Sequence, residues 1–212
     1  MTVFFHLEKY DFIILKNYSP LEMTNVTILS SLKKVGRKEV IASCERFLKC
    51  EYPDIFEETF WNRYLSKARA EALNHIAVEI VQTEREKAVF IWEHLLEQLK
   101  KSRVLLPDRY NSAMLPIVNL STCYGVMGRY QDCVRVCLAG ISLCLQKDRY
   151  TNLSSLMGNY GEARILLGDQ KEDYRELFRQ VYYLADLFQI AVEIPYYDEF
   201  YRENFDRDVV WY

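Results

Sequence analysis

The sequence predicts an all-α protein built from helical hairpins, and three observations carry that reading. Seven Gly and five Pro in 212 residues leave too few turn residues for a chain of short strands. Apolar residues recur at spacings of three and four over long stretches. Landmarks in the second half of the chain also return at a fixed interval, the signature of a repeat architecture. Half the residues are hydrophobic and 27% are charged, so the chain can bury a core without disulfide staples. Lys and Arg number 27 against 30 Asp and Glu, a net charge of -3 that lacks the basic footprint of a nucleic-acid binder.

Each helix is then placed by its start and stop signals. Ser19-Pro20-Leu21-Glu22 combines a Ser cap, a Pro at the first helical position and a Glu three residues after the cap. Gly36-Arg37 ends that helix, and 38–49 forms the next, with Ile41, Cys44 and Leu48 on one face. Pro53-Asp54 breaks and restarts the chain. From 56 to 81 the pattern is helical without a Gly or Pro. Thr83-Glu84-Arg85-Glu86 reads as a capping box for a helix whose buried stripe is Ala88, Ile91, Trp92, Leu95, Leu96 and Leu99.

Pro107-Asp108 opens a helix to about Met127, with a kink expected at Pro116, and Gly128 closes it. Further helices follow over 130–146, over 151–167 with Gly168 as its stop, and over 171–189. Pro195 introduces a short last helix, and 206–212 is a tail. Short links between consecutive amphipathic helices imply antiparallel neighbours. The expected organisation is a linker segment 1–18, a helical repeat domain 19–194, and a capping helix with an aromatic tail over 195–212.

The repeat is visible residue by residue. Ile117, Asn119-Leu120 and Gly128 return 40 residues later as Met157, Asn159-Tyr160 and Gly168. Beyond the turn the offset grows by one, Cys137 matching Phe178 and Leu143 matching Leu184, because Asp169-Gln170-Lys171 adds a residue. The spacing from turn to core recurs upstream at Gly36 to Ile41 and Thr83 to Ala88, giving about four hairpins.

The stretch Asn119-Leu120-x-x-x-Tyr124-x-x-x-Gly128-x-Tyr130, followed by Gly140-Ile141-x-Leu143, resembles a tetratricopeptide repeat. Cys133 and Gly140 stand where that motif usually has Ala. The arrangement is also similar to the C-terminal sensor half of cytoplasmic peptide-responsive regulators of the Rgg/PlcR type, over about residues 1–190. This resemblance implies a right-handed superhelix that binds a short peptide. Fewer than twenty residues precede Ser19, against about 60 for a helix-turn-helix, so the expectation is a sensor without its DNA-reading part and without direct nucleic-acid binding.

Other chemistries find no constellation. Cysteines 44, 50, 123, 133, 137 and 144 form no C-x₂-C pair and read as small core residues rather than zinc ligands. The histidines at 6, 75 and 94 build no H-E-x-x-H, and Gly161 to Gly168 lacks the spacing and Lys of a phosphate loop. No catalytic residue, metal or cofactor is expected. No segment approaches the roughly 18 apolar residues of a membrane span, and no signal peptide is evident. The expected location is cytoplasmic, away from membranes, with reduced thiols.

The candidate binding residues lie on the first helices of the hairpins, which line the concave face of such a solenoid. Asn74, Asn119 and Asn159 occupy one repeat position, and each carboxamide offers a donor and an acceptor to an extended peptide backbone. Ser112, Asn119 and Thr122 continue that face on one helix; Asn152, Ser155, Asn159 and Glu162 do so on another. Arg63 and Lys67 share a face with Asn74 and would meet a peptide carboxylate. The alternative is that all of these are ordinary hydrophilic residues on a solvated surface. Two functions follow: a peptide sensor, for which a homodimer is the expected state, or a stand-alone adaptor gripping a partner protein's extended or helical segment. The aromatic tail, with Tyr196, Tyr197, Phe200, Tyr201, Phe205, Trp211 and Tyr212, reads either as a cap or as a self-association surface.

Overall fold

The computed structural model describes residues 37–62, 65–101, 109–147, 150–191 and 193–205. Among them are nine α-helices and no strand: α1 (Arg37–Leu48), α2 (Glu58–Trp61), α3 (Lys67–Ile80), α4 (Arg85–Lys101), α5 (Arg109–Val126), α6 (Tyr130–Gln146), α7 (Leu153–Leu166), α8 (Arg175–Leu187) and α9 (Glu193–Phe205). The protein is therefore all-α. Two 3₁₀ turns, Tyr52–Phe56 and Lys171–Tyr174, precede α2 and α8. The helix start at Ser19, the segment 1–18, Arg63 and the tail 206–212 lie outside the described residues. No described helix is long and apolar enough to cross a membrane.

The described residues fall into two compact units, one ending at Asn119 and the other beginning at Leu120. In the first, α1 packs on α3 and α3 on α4. Leu73, Ile76, Ile80, Ile91, Trp92 and Leu95 are buried between them. In the second, α6 packs on α7, α7 on α8 and α8 on α9. Cys133, Cys137, Leu156, Ala163, Phe178 and Val181 fill its interior. Cys133 and Cys137 are small buried residues, as the sequence predicts.

The helix stops at Gly128 and Gly168 share one geometry. Each Gly has a positive φ, 72° and 105°. Its N–H bonds the carbonyl three residues back, and the following N–H reaches back five, Arg129 to Tyr124 at 2.8 Å and Asp169 to Arg164 at 3.2 Å. This pattern uses up carbonyls that a helix end leaves unpaired, and Gly adopts the required left-handed backbone without a Cβ clash. The same reach-back closes α1 and α8, where the left-handed residues are Lys49 and Gln189, each at φ 54°.

Three expectations are corrected. The helix expected over 56–81 is interrupted between Trp61 and Lys67, although no Gly or Pro marks the place. Side chains make the break: the Trp61 indole donates to the Ile55 carbonyl at 2.8 Å, Gln98 donates to the Trp61 carbonyl at 2.7 Å, and the Ser66 hydroxyl accepts from Arg69 N–H to start α3. The capping box at Thr83 does not form, because α4 begins at Arg85 and Thr83 is drawn to the Ile80 carbonyl and the Arg37 guanidinium. Glu84 instead gathers Arg37 and Lys87, at 2.6 and 2.7 Å. Finally, the helix expected over 171–189 opens as a 3₁₀ turn and becomes α-helical only at Arg175.

Candidate functional site

The three aligned asparagines mark the polar positions of the hairpin helices, and the structure gives them partners. In the first unit, Asn74 of α3 is buried, and its Oδ1 accepts from the Trp92 indole N–H at 2.9 Å and from Asn119 Nδ2 at 3.3 Å. Trp92 itself is 1% exposed. A buried indole N–H must find an acceptor, and a carboxamide oxygen with two lone pairs serves two donors at once. In the second unit, Asn159 of α7 is buried, and its Nδ2 donates to Ser121 Oγ at 2.9 Å and Thr122 Oγ1 at 3.0 Å. Asn119 and Asn159, at equivalent repeat positions, thus each reach back to an earlier hairpin helix.

This corrects the expectation of free carboxamides on an open groove. Asn74, Ser112, Thr122, Asn152, Ser155, Asn159 and Glu162 are all buried. The reason is packing on more than one side: α7 is covered nearly all round, its polar residues Ser154, Ser155, Asn159 and Glu162 included, so a polar face in sequence is not a solvent face. Asn119 and Lys67 are half-exposed. Lys67 stands one turn before Glu71, whose carboxyl burial pushes above its ordinary range and the Lys67 charge pulls back. His75 follows on the same stripe, held neutral by burial that lowers it to about 4. Half-exposed Leu115 lies one turn before Asn119 on α5.

The second unit carries a feature that the sequence reading passed over. Glu162 Oε1 accepts from Tyr196 Oη of α9 at 2.8 Å, and Glu193 Oε1 of α9 accepts from the Ser155 hydroxyl of α7. Among the described residues, the second oxygen of each carboxyl is buried without a hydrogen-bond partner. Burial pushes Glu162 up to about 8, the Tyr196 hydrogen bond opposing it, and raises Glu193 as well. The sequence places Glu193 ahead of the last helix, which Pro195 is expected to introduce; the helix in fact begins at Glu193 itself. Nothing local signals its burial. Trp92 gave the available clue to Asn74, since a core indole implies an acceptor on the facing helix.

Beside this pair, Gly158 lets α9 approach α7: a Cβ there would overlap the Tyr197 ring and hydroxyl. Tyr197, Tyr201 and Phe205 turn inward against Phe178, Val181, Tyr182 and Ala185 of α8. These three tail aromatics are therefore core residues, and Trp211 and Tyr212 lie outside the described residues. No group of three or more His, Cys, Asp or Glu among the described residues is arranged to hold a metal ion. No protein-family model, curated protein or solved structure matches the chain.

Proposed function

We propose that the chain is a non-catalytic helical-repeat module, similar to tetratricopeptide domains, that binds a short peptide or the extended segment of a partner protein. The observation that carries this reading is the recurrence, 40 residues apart, of one structural unit. An asparagine ties its helix to an earlier one, and nine residues later a positive-φ glycine closes that helix with the same pair of backbone bonds. Stacked copies of one unit present an extended surface, which is how solenoids hold linear ligands. On this reading the ligand meets the half-exposed stripe of α3 and α5, with Asn119 for its backbone and Lys67 for a carboxylate. The buried residues around Asn159 and Glu162 hold the scaffold together. The proposed role is that of the sensor domain of an Rgg/PlcR-type regulator.

Calorimetric titration against a pool of random octapeptides, prepared with free and with amidated C-termini, tests the proposal. Binding of free-acid peptides that weakens about tenfold in Lys67→Ala supports it; a tenfold loss corresponds to about 1.4 kcal/mol. Absence of binding by any pool refutes peptide recognition. Sizing by light scattering with and without the bound peptide separates the two roles: a changed oligomeric state supports a sensor, and an unchanged one supports an adaptor.

A further inference from the structure

Among the described residues, the contact between α7 and α9 is closed by two carboxyl groups with no cation paired to either. Glu162 and Glu193 are each at least nine-tenths buried; each gives Oε1 to a hydroxyl, and among the described residues neither Oε2 has a hydrogen-bond partner, although the Ser154 hydroxyl also favours the charged form of Glu193. Facing Glu162 are the Tyr196 hydroxyl from α9 and the Cys133 thiol from α6. Facing Glu193 are the Ser154 and Ser155 hydroxyls from α7. α8 contributes the apolar Leu177 and Phe178 beside Gly161. Among the described residues, no basic side chain pairs with either carboxyl. A deeply buried carboxylate that no cation pairs and one of whose oxygens no protein donor reaches is strongly disfavoured against the neutral acid.

We propose that the α7–α9 contact is a proton-dependent seal: α9 stays docked while Glu162 and Glu193 are protonated and is released as they ionise. Release would uncover the faces of Phe178, Val181, Tyr182 and Ala185 that now pack against Tyr197, Tyr201 and Phe205. Glu162 is the stronger sensor, because Glu193 sits in the first turn of α9, where the helix dipole favours the charged form. The direction follows from linkage. The docked state holds Glu162 at about 8, whereas the exposed carboxyl returns toward its ordinary 4.5. Docking is therefore tightest at and below the ordinary carboxyl range, weakens as pH rises, and levels off above about 8. Each bound proton changes the docking equilibrium by at most about tenfold per pH unit.

Hydrogen exchange of the full chain from about pH 6 to about pH 9, with labelling times scaled for intrinsic exchange, reads this directly. The expected result is that protection of Glu193–Phe205 falls at least about tenfold more than that of Tyr130–Gln146 across this range. The excess loss disappears in the Glu162→Gln/Glu193→Gln double variant. In Tyr196→Phe the loss continues to higher pH before it levels off, since the hydrogen bond that favours ionisation in the docked state is gone. The seal is overturned if α9 tracks α6 in the parent protein, or if the double variant loses protection as the parent does. Should the double variant fail to fold, the parent profile and the direction of the Tyr196→Phe shift decide.

Discussion

Removing the Asn74 carboxamide should be expensive, and the reason is Trp92. In Asn74→Ala the Trp92 indole N–H, now 2.9 Å from Asn74 Oδ1 and 1% exposed, is left without that acceptor. An unsatisfied buried donor costs about 1–3 kcal/mol, and the small cavity left by the carboxamide adds about 1 kcal/mol, so the expected loss is about 3 kcal/mol. A carboxamide facing solvent in a groove would instead be worth within about 0.5 kcal/mol. Trp92→Phe removes the donor and leaves Asn74 Oδ1 bonded to Asn119. The double variant should then lose about 1–2 kcal/mol less than the two single losses together, because the orphaned N–H exists only in Asn74→Ala. Urea denaturation followed by far-UV ellipticity measures all four proteins without relying on the tryptophan signal. Additivity within about 0.5 kcal/mol would refute the buried tie and return Asn74 to the ligand surface.

Two further substitutions test the helix ends and the α7–α9 approach. Gln189→Gly should stabilise the protein by about 0.5–1 kcal/mol, since Gln189 holds φ 54° to close α8 and its side chain adds only an exposed bond to the Asp186 carbonyl; a lower melting temperature would contradict the proposed cap. Gly158→Ala should destabilise by about 1–3 kcal/mol, because the new methyl group overlaps Tyr197 and α9 must shift; a melting temperature within about 1 °C of the parent would show that the contact is loose.

The all-α class, most helix boundaries and the two repeat stops were legible in the sequence, because each depends on neighbours along the chain. Gly128 and Gly168 announce helix ends by themselves, since the left-handed backbone they adopt is disfavoured for any residue with a Cβ. The three- and four-residue spacing likewise marked Leu95, Cys133 and Cys137 for burial. Where a stop is made by tertiary contacts the local signal vanishes: the break after Trp61 rests on Gln98 and Ile55 accepting or donating across the fold. The same applies to the polar residues. Periodicity placed Asn74, Asn159, Ser155 and Glu162 on polar helix stripes expected to line an open groove, but a stripe is polar in sequence whether it meets water or another helix's hydroxyls. Only the tertiary structure decided that Asn159 meets Ser121 and Thr122 and that Glu162 meets Tyr196. Burial is set by what packs opposite, and that partner lies tens of residues away along the chain.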